Sequence, residues 1–162
     1  MLAATKQSTR TYLVVGDIMR ILVNREESGG NLVIAETETS PGGGMPILHT
    51  HPASEHFYVV SGQFEVYLRD ENGNKYGVPL GPGQSAFVPG GEPHGITNVG
   101  DSKGTLLMSI DGVGKMDEFF AEIGIPVEDE DNLPVVEGPP DMEALLAVSA
   151  RYGIAFVEAP PM

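Results

Sequence analysis

The chain has no cysteine among its 162 residues. That excludes disulfides and thiolate ligands, and leaves histidine and carboxylate as the side chains that can bind a metal. Basic residues are also scarce: nine lysines and arginines stand against 23 aspartates and glutamates, for a net charge of −14. A nucleic-acid binder needs a basic face to neutralise phosphates, so no nucleic-acid partner is expected. No apolar run approaches the length that spans a bilayer, so no membrane partner is expected either. The first ten residues, MLAATKQSTR, lack the long apolar stretch of a secretory signal. A cytoplasmic location is the resulting expectation. The acidic charge is uneven, with twelve acids and two bases from Asp111 onward. Such an acidic segment suits solubility. The length fits one domain with a sizeable core.

What the sequence does have is a succession of short alternating segments. Residues 11–15 and 17–24 read as two β segments around Gly16. Residues 31–40, NLVIAETETS, alternate, and so do 63–69, QFEVYLR, where Phe64, Val66 and Leu68 share a face. Further strands are expected at 47–51, 56–60, 75–80, 85–88, 94–99 and 103–110. The turns between them carry Gly, Pro and Asn, with Asn72-Gly73 a strong hairpin signal. Many short strands joined by such turns argue for an all-β barrel or sandwich. After Asp111 the period changes. Met116, Phe119, Phe120 and Ile123 form a helix stripe ended by Gly124 and Pro126. Residues 126–140 read as an acidic, proline-rich linker. A second helix is expected from about Asp141, its N-cap, to Tyr152, with Met142, Leu145 and Leu146 as its apolar stripe.

Three of the four histidines fall within 20 residues, Gly43 to Gly62. His49 and His51 are two apart, so on a strand they point to one face and can reach one point in space. Glu55 follows an expected bend at Pro52 and could add a carboxylate to the same cation. His94 lies in a second glycine- and proline-punctuated stretch. Three neutral nitrogens and one carboxylate suit a divalent transition metal. His56 alternates to the opposite face and reads as a packing or interface residue.

These two stretches resemble the paired signatures of the cupin superfamily. The first signature is met by Gly43, His49, His51, Glu55 and Gly62; the second by Gly83, Pro89, Gly91, His94 and Asn98. One departure is Gln84, where many relatives carry aspartate. The resemblance implies a double-stranded β-helix, a jelly-roll cupin barrel, over residues 11–112. Residues 113–162 would then be a short C-terminal helical extension. It also implies His49, His51, Glu55 and His94 as ligands of one divalent metal ion: Fe, Mn, Ni, Co, Cu or Zn. Strand parity places Ile47, Phe57, Val59, Phe64 and Ile96 on inward faces, with Met45 near the mouth. Asn98 shares parity with His94 and either lines the pocket or satisfies its strand. The basic residues near the motifs are few, which disfavours a phosphorylated sugar.

The layout is similar to small single-domain cupins grouped with quercetin 2,3-dioxygenases. That similarity implies a small aromatic or enolic substrate inside the barrel and O2 as co-substrate. Glu55 would bind the metal and also act as catalytic proton acceptor. Two alternatives stand beside it: a non-oxidative enzyme such as a polyketide cyclase, isomerase or decarboxylase, and a non-catalytic small-molecule binder. Tyr58 and Val60 give an apolar outer face, so a homodimer is expected through a barrel sheet, helped by the strand at 11–15. Phe119 and Phe120 are expected to pack on the outside of the barrel rather than to lid its mouth.

Overall fold

The computed structural model describes residues 10–136, 138 and 141–158. Ten strands come first: β1 (Thr11–Val14), β2 (Asp17–Val23), β3 (Leu32–Thr39), β4 (Gly44–Thr50), β5 (Glu55–Ser61), β6 (Phe64–Arg69), β7 (Lys75–Leu80), β8 (Ser85–Val88), β9 (His94–Asn98) and β10 (Gly104–Asp111). They are followed by α1 (Met116–Ile123), β11 (Ile125–Pro126), α2 (Met142–Arg151) and β12 (Ala155–Phe156). The strands form two antiparallel sheets. One runs β11-β1-β2-β3-β10-β5-β8 and the other β12-β4-β9-β6-β7. This is the all-β architecture that alternation and turn chemistry imply, in the jelly-roll form that the resemblance implies. β3 shows the cause: Val33, Ala35, Thr37 and Thr39 are buried while the residues between them are not, so one face meets the core and the other meets solvent.

The hairpin at Asn72-Gly73 joins β6 to β7, which pair from Phe64↔Leu80 to Arg69↔Lys75. Asp70 closes it, accepting from the backbone of Asn72 and Asn74. β4 departs from a regular ladder. Met45 pairs with Ile96 and His49 with His94, so Pro46, Ile47 and Leu48 face Gly95 alone. A side chain on Gly95 would meet the carbonyl oxygens of Met45 and Pro46 at 2.8 and 3.0 Å. Glycine is what lets the bulge lie this close.

α2 starts where expected: Asp141 Oδ1 accepts from Ala144 N at 3.0 Å. Its buried stripe differs, because Leu146 is exposed and Ser149 is the buried position. The placement of both helices also differs from expectation. Met116, Phe119 and Phe120 belong to the same core cluster as Phe57, Phe64 and Met108. They therefore pack into the barrel's interior cluster, not on its outside. The two-residue strands β11 and β12 tie this extension to the barrel, on β1 and β4 respectively. The linker after β11 crosses the first hairpin: Val127 is buried with Leu13 and Ile18, and Glu130 pairs with Arg20 at 2.5 Å. No helix among the described residues is long and apolar enough to cross a membrane.

Candidate metal centre

The site forms where the chain passes from one sheet to the other. His49 is the next-to-last residue of β4, His94 begins β9, and the two are cross-strand partners. His51 lies in the short connection that follows β4, and Glu55 opens β5 in the opposite sheet. The connection is held by the second glycine-rich stretch. Gly91, at φ 84°, donates its N–H to His51 O at 2.8 Å, a left-handed conformation that glycine adopts without strain.

One ring nitrogen from each of His49, His51 and His94 lies within 4.8 Å of the others, a group able to hold a metal ion. Each ring is turned by the same device. Nδ1 of His49 faces Ile47 O at 3.0 Å, that of His51 faces Ala53 O at 2.9 Å, and that of His94 faces Glu92 O at 2.8 Å. A carbonyl can only accept, so each Nδ1 carries a proton and Nε2 is the nitrogen left to act as a ligand when a metal is bound. Glu55 Oε2 lies 3.2 Å from His51 Nε2 and 3.3 Å from His94 Nε2. His51, Glu55 and His94 are all buried.

The electrostatics favour a cation here. Burial pushes the Glu55 carboxyl up, but hydrogen bonds from His51 and His94 outweigh it and hold the group down at about 2. His94 is raised, burial opposing and Glu55 prevailing. His49 is lowered to about 4, by burial and then by the neighbouring His94, so it stays neutral and able to ligate. The donor set, three imidazoles oriented by carbonyls and one ionised carboxylate, fits a divalent transition metal.

The cluster opens onto a cavity of about 140 Å³. Of the residues expected on its wall, Met45, Phe57, Phe64 and Ile96 line it. Ile47, Val59 and Asn98 do not. Ile47 sits in the β4 bulge, where strand parity is lost. Val59 is fully buried but belongs to core away from the cavity. Asn98 is a structural tie: its Nδ2 donates to Thr39 O and Ser102 O, and its Oδ1 accepts from Gly100 N. Other wall residues escaped the motif reading. Thr37 and Thr39 on β3 carried a signal in that strand's alternation, whereas Phe120, Ser149 and Phe156 come from the C-terminal extension. The Phe156 ring lies 6.1 Å from that of His49. His56 faces away from the cluster, in register with Phe87.

Residues 35–110 match the family described as the Cupin domain. Over those residues the barrel is similar to a cupin domain. No curated protein matches the sequence. Among solved structures, a mutant oxalate decarboxylase from Bacillus subtilis is 28% identical with a TM-score of 0.55, over 64% of this chain and 27% of that one. A polyketide cyclase from Streptomyces resistomycificus is 25% identical with a TM-score of 0.53, over 69% of this chain and 78% of that one. An oxalate oxidase shares the fold at 24% identity and a TM-score of 0.51, over 60% of this chain. The chain spans about half, 51%, of the oxidase's length.

Proposed function

We propose that this chain is a metal-dependent dioxygenase acting on a small aromatic or enolic substrate held inside the barrel. His49, His51 and His94 through Nε2, and Glu55 through its carboxylate, would hold one divalent transition metal ion. Fe, Mn, Ni, Co, Cu and Zn all suit this donor set. The ion, when bound, supplies Lewis acidity and, for a redox-active metal, the electron chemistry that O2 requires. The chain's own residues position the substrate and move its proton. Phe57, Phe64, Ile96, Leu106 and Met108 offer an apolar wall for a ring and keep water out. Glu55 is buried, ionised and beside the cluster, so it can take the proton of a phenol or enol hydroxyl as that oxygen binds.

The observation that carries this reading is the composition of the cavity wall. Among the described residues it includes no lysine or arginine. A dianion such as oxalate, or a phosphorylated sugar, would lose its water there with no basic side chain to pair it beyond the metal ion itself. The reading therefore parts from the neighbours named for oxalate. A second reading is favoured by the polyketide cyclase likeness: non-oxidative ring closure of an aromatic precursor in the same cavity. An oxygen electrode, with metal-loaded protein and a panel of phenols and flavonols, separates the two. Oxygen consumption matched to product supports dioxygenation, and product formed under argon supports the cyclase. Neither, from any metal-loaded form, would falsify the enzyme reading.

A further inference from the structure

We propose that Ser149 is a substrate-contacting residue that selects a single-ring substrate carrying a second polar group. The inference rests on the aromatic-substrate reading above.

Ser149 is the buried position of α2, 1% exposed. It lines the same cavity as His49, His51, Glu55 and His94. Around it on the helix stand Leu145, Val148 and Tyr152, all packed inward. An apolar residue is what an amphipathic helix puts at such a position. The serine hydroxyl has no partner: among the described residues, its Oγ is buried without a hydrogen bond. A helical serine commonly satisfies itself on the carbonyl four residues back, here that of Leu145. Ser149 does not, although the option is built into every helix. A buried, unpaired hydroxyl costs stability that alanine would not. Its place on the wall of a substrate cavity supplies the compensating partner: a hydroxyl or carbonyl on the bound molecule, to which Oγ can donate or from which it can accept.

The cavity's size narrows the ligand further. Its volume of about 140 Å³ compares with the ~150 Å³ apolar cavity that takes up benzene. One ring fits and a flavonol's linked rings do not. The substrate class is therefore a monocyclic phenol or enol. One of its oxygens reaches the histidine–glutamate cluster, and another hydrogen-bonds Ser149.

Two probes of nearly equal size test this: 4-(hydroxymethyl)catechol and 4-methylcatechol. They are titrated calorimetrically into the full chain loaded with zinc, which binds without redox turnover. The wild type should bind the hydroxymethyl probe about three- to tenfold more tightly, the worth of one neutral hydrogen bond. In Ser149→Ala that preference should fall below about twofold, with 4-methylcatechol affinity unchanged. The ligand-free melting temperature of Ser149→Ala should hold, or rise by up to about 4 °C. A preference that survives in Ser149→Ala overturns the proposal. So does a fall in ligand-free melting temperature, which would mean the hydroxyl is structural. If both probes bind the wild type equally, the Ser149 contact fails and the aromatic reading stands. If neither binds, both fail together.

Discussion

His94 touches every other member of the cluster. Its ring lies 4.7 Å from that of His49 and 4.8 Å from that of His51, and its Nε2 is 3.3 Å from Glu55 Oε2. Disturbing even the outer partners of a metal ligand costs about 10–100-fold in affinity. His94→Ala should therefore weaken metal binding by at least about tenfold, as read by elemental analysis after dialysis. Full metal occupancy in that variant would remove His94 from the ligand set. Glu55 carries a pH signature in the metal-free chain. Its folded value of about 2 lies below the ordinary 4.5. The stability it contributes is thus complete above about pH 4.5 and is lost as pH falls toward 2. Melting curves of chelator-treated protein should steepen in that window for the wild type and be shallower for Glu55→Gln. Parallel curves would show that Glu55 is not held by its histidine neighbours.

At the scale of elements, the extension is part of the core. Phe120 packs in the main cluster, and Phe119 rests 5.5 Å from both the Phe120 and Tyr152 rings. Phe120→Ala should cost about 3–5 kcal/mol by urea unfolding, the usual loss for a buried phenylalanine. A loss below about 1 kcal/mol would return the helix to the surface role first expected of it. The strands were legible in the sequence because β3 and β6 alternate and Asn72-Gly73 marks its own turn. The helices were legible from their stripes. Their destination was not, since an apolar stripe requires a partner surface without naming one. β11 and β12 have two residues each, too few to show any period. Within the site, parity placed Phe57, Phe64 and Ile96 correctly because β5, β6 and β9 are regular where they border the cavity. Parity separates inside from outside but carries no depth, so it could not tell Phe57 from Val59. It failed outright at Ile47, where the bulge resets the count. Ser149 was invisible for a different reason: a small polar residue in an Ala-rich helix looks like exposed filler.

For the whole molecule, the outer face of β5 and β8 remains apolar. Tyr58, Val60 and Phe87 are 39%, 49% and 65% exposed, and Phe87 stands beside His56 across the strand pair. We propose that a second copy of the chain covers this face. Light scattering at micromolar concentration should give a dimer for the wild type and a monomer for Phe87→Glu; a monomeric wild type refutes the pairing. The edges of β1 pair with β2 and, at Tyr12 and Leu13, with β11, so any help it gives the dimer would come from its face. One last consequence concerns time. Every member of the histidine–glutamate cluster precedes β10 in the chain, while the residues that finish the cavity wall run from Met116 to Phe156. Synthesis proceeds in that order, so a nascent barrel presents an open cup before its cover leaves the ribosome. An ion captured then would be covered as the helices dock. One arriving afterwards would enter as fast as they loosen, if they close the cup. Metal release to a chelator should accordingly proceed at a rate independent of chelator concentration, and faster in Phe120→Ala. Release that scales with chelator would mean that the finished protein exchanges its metal freely.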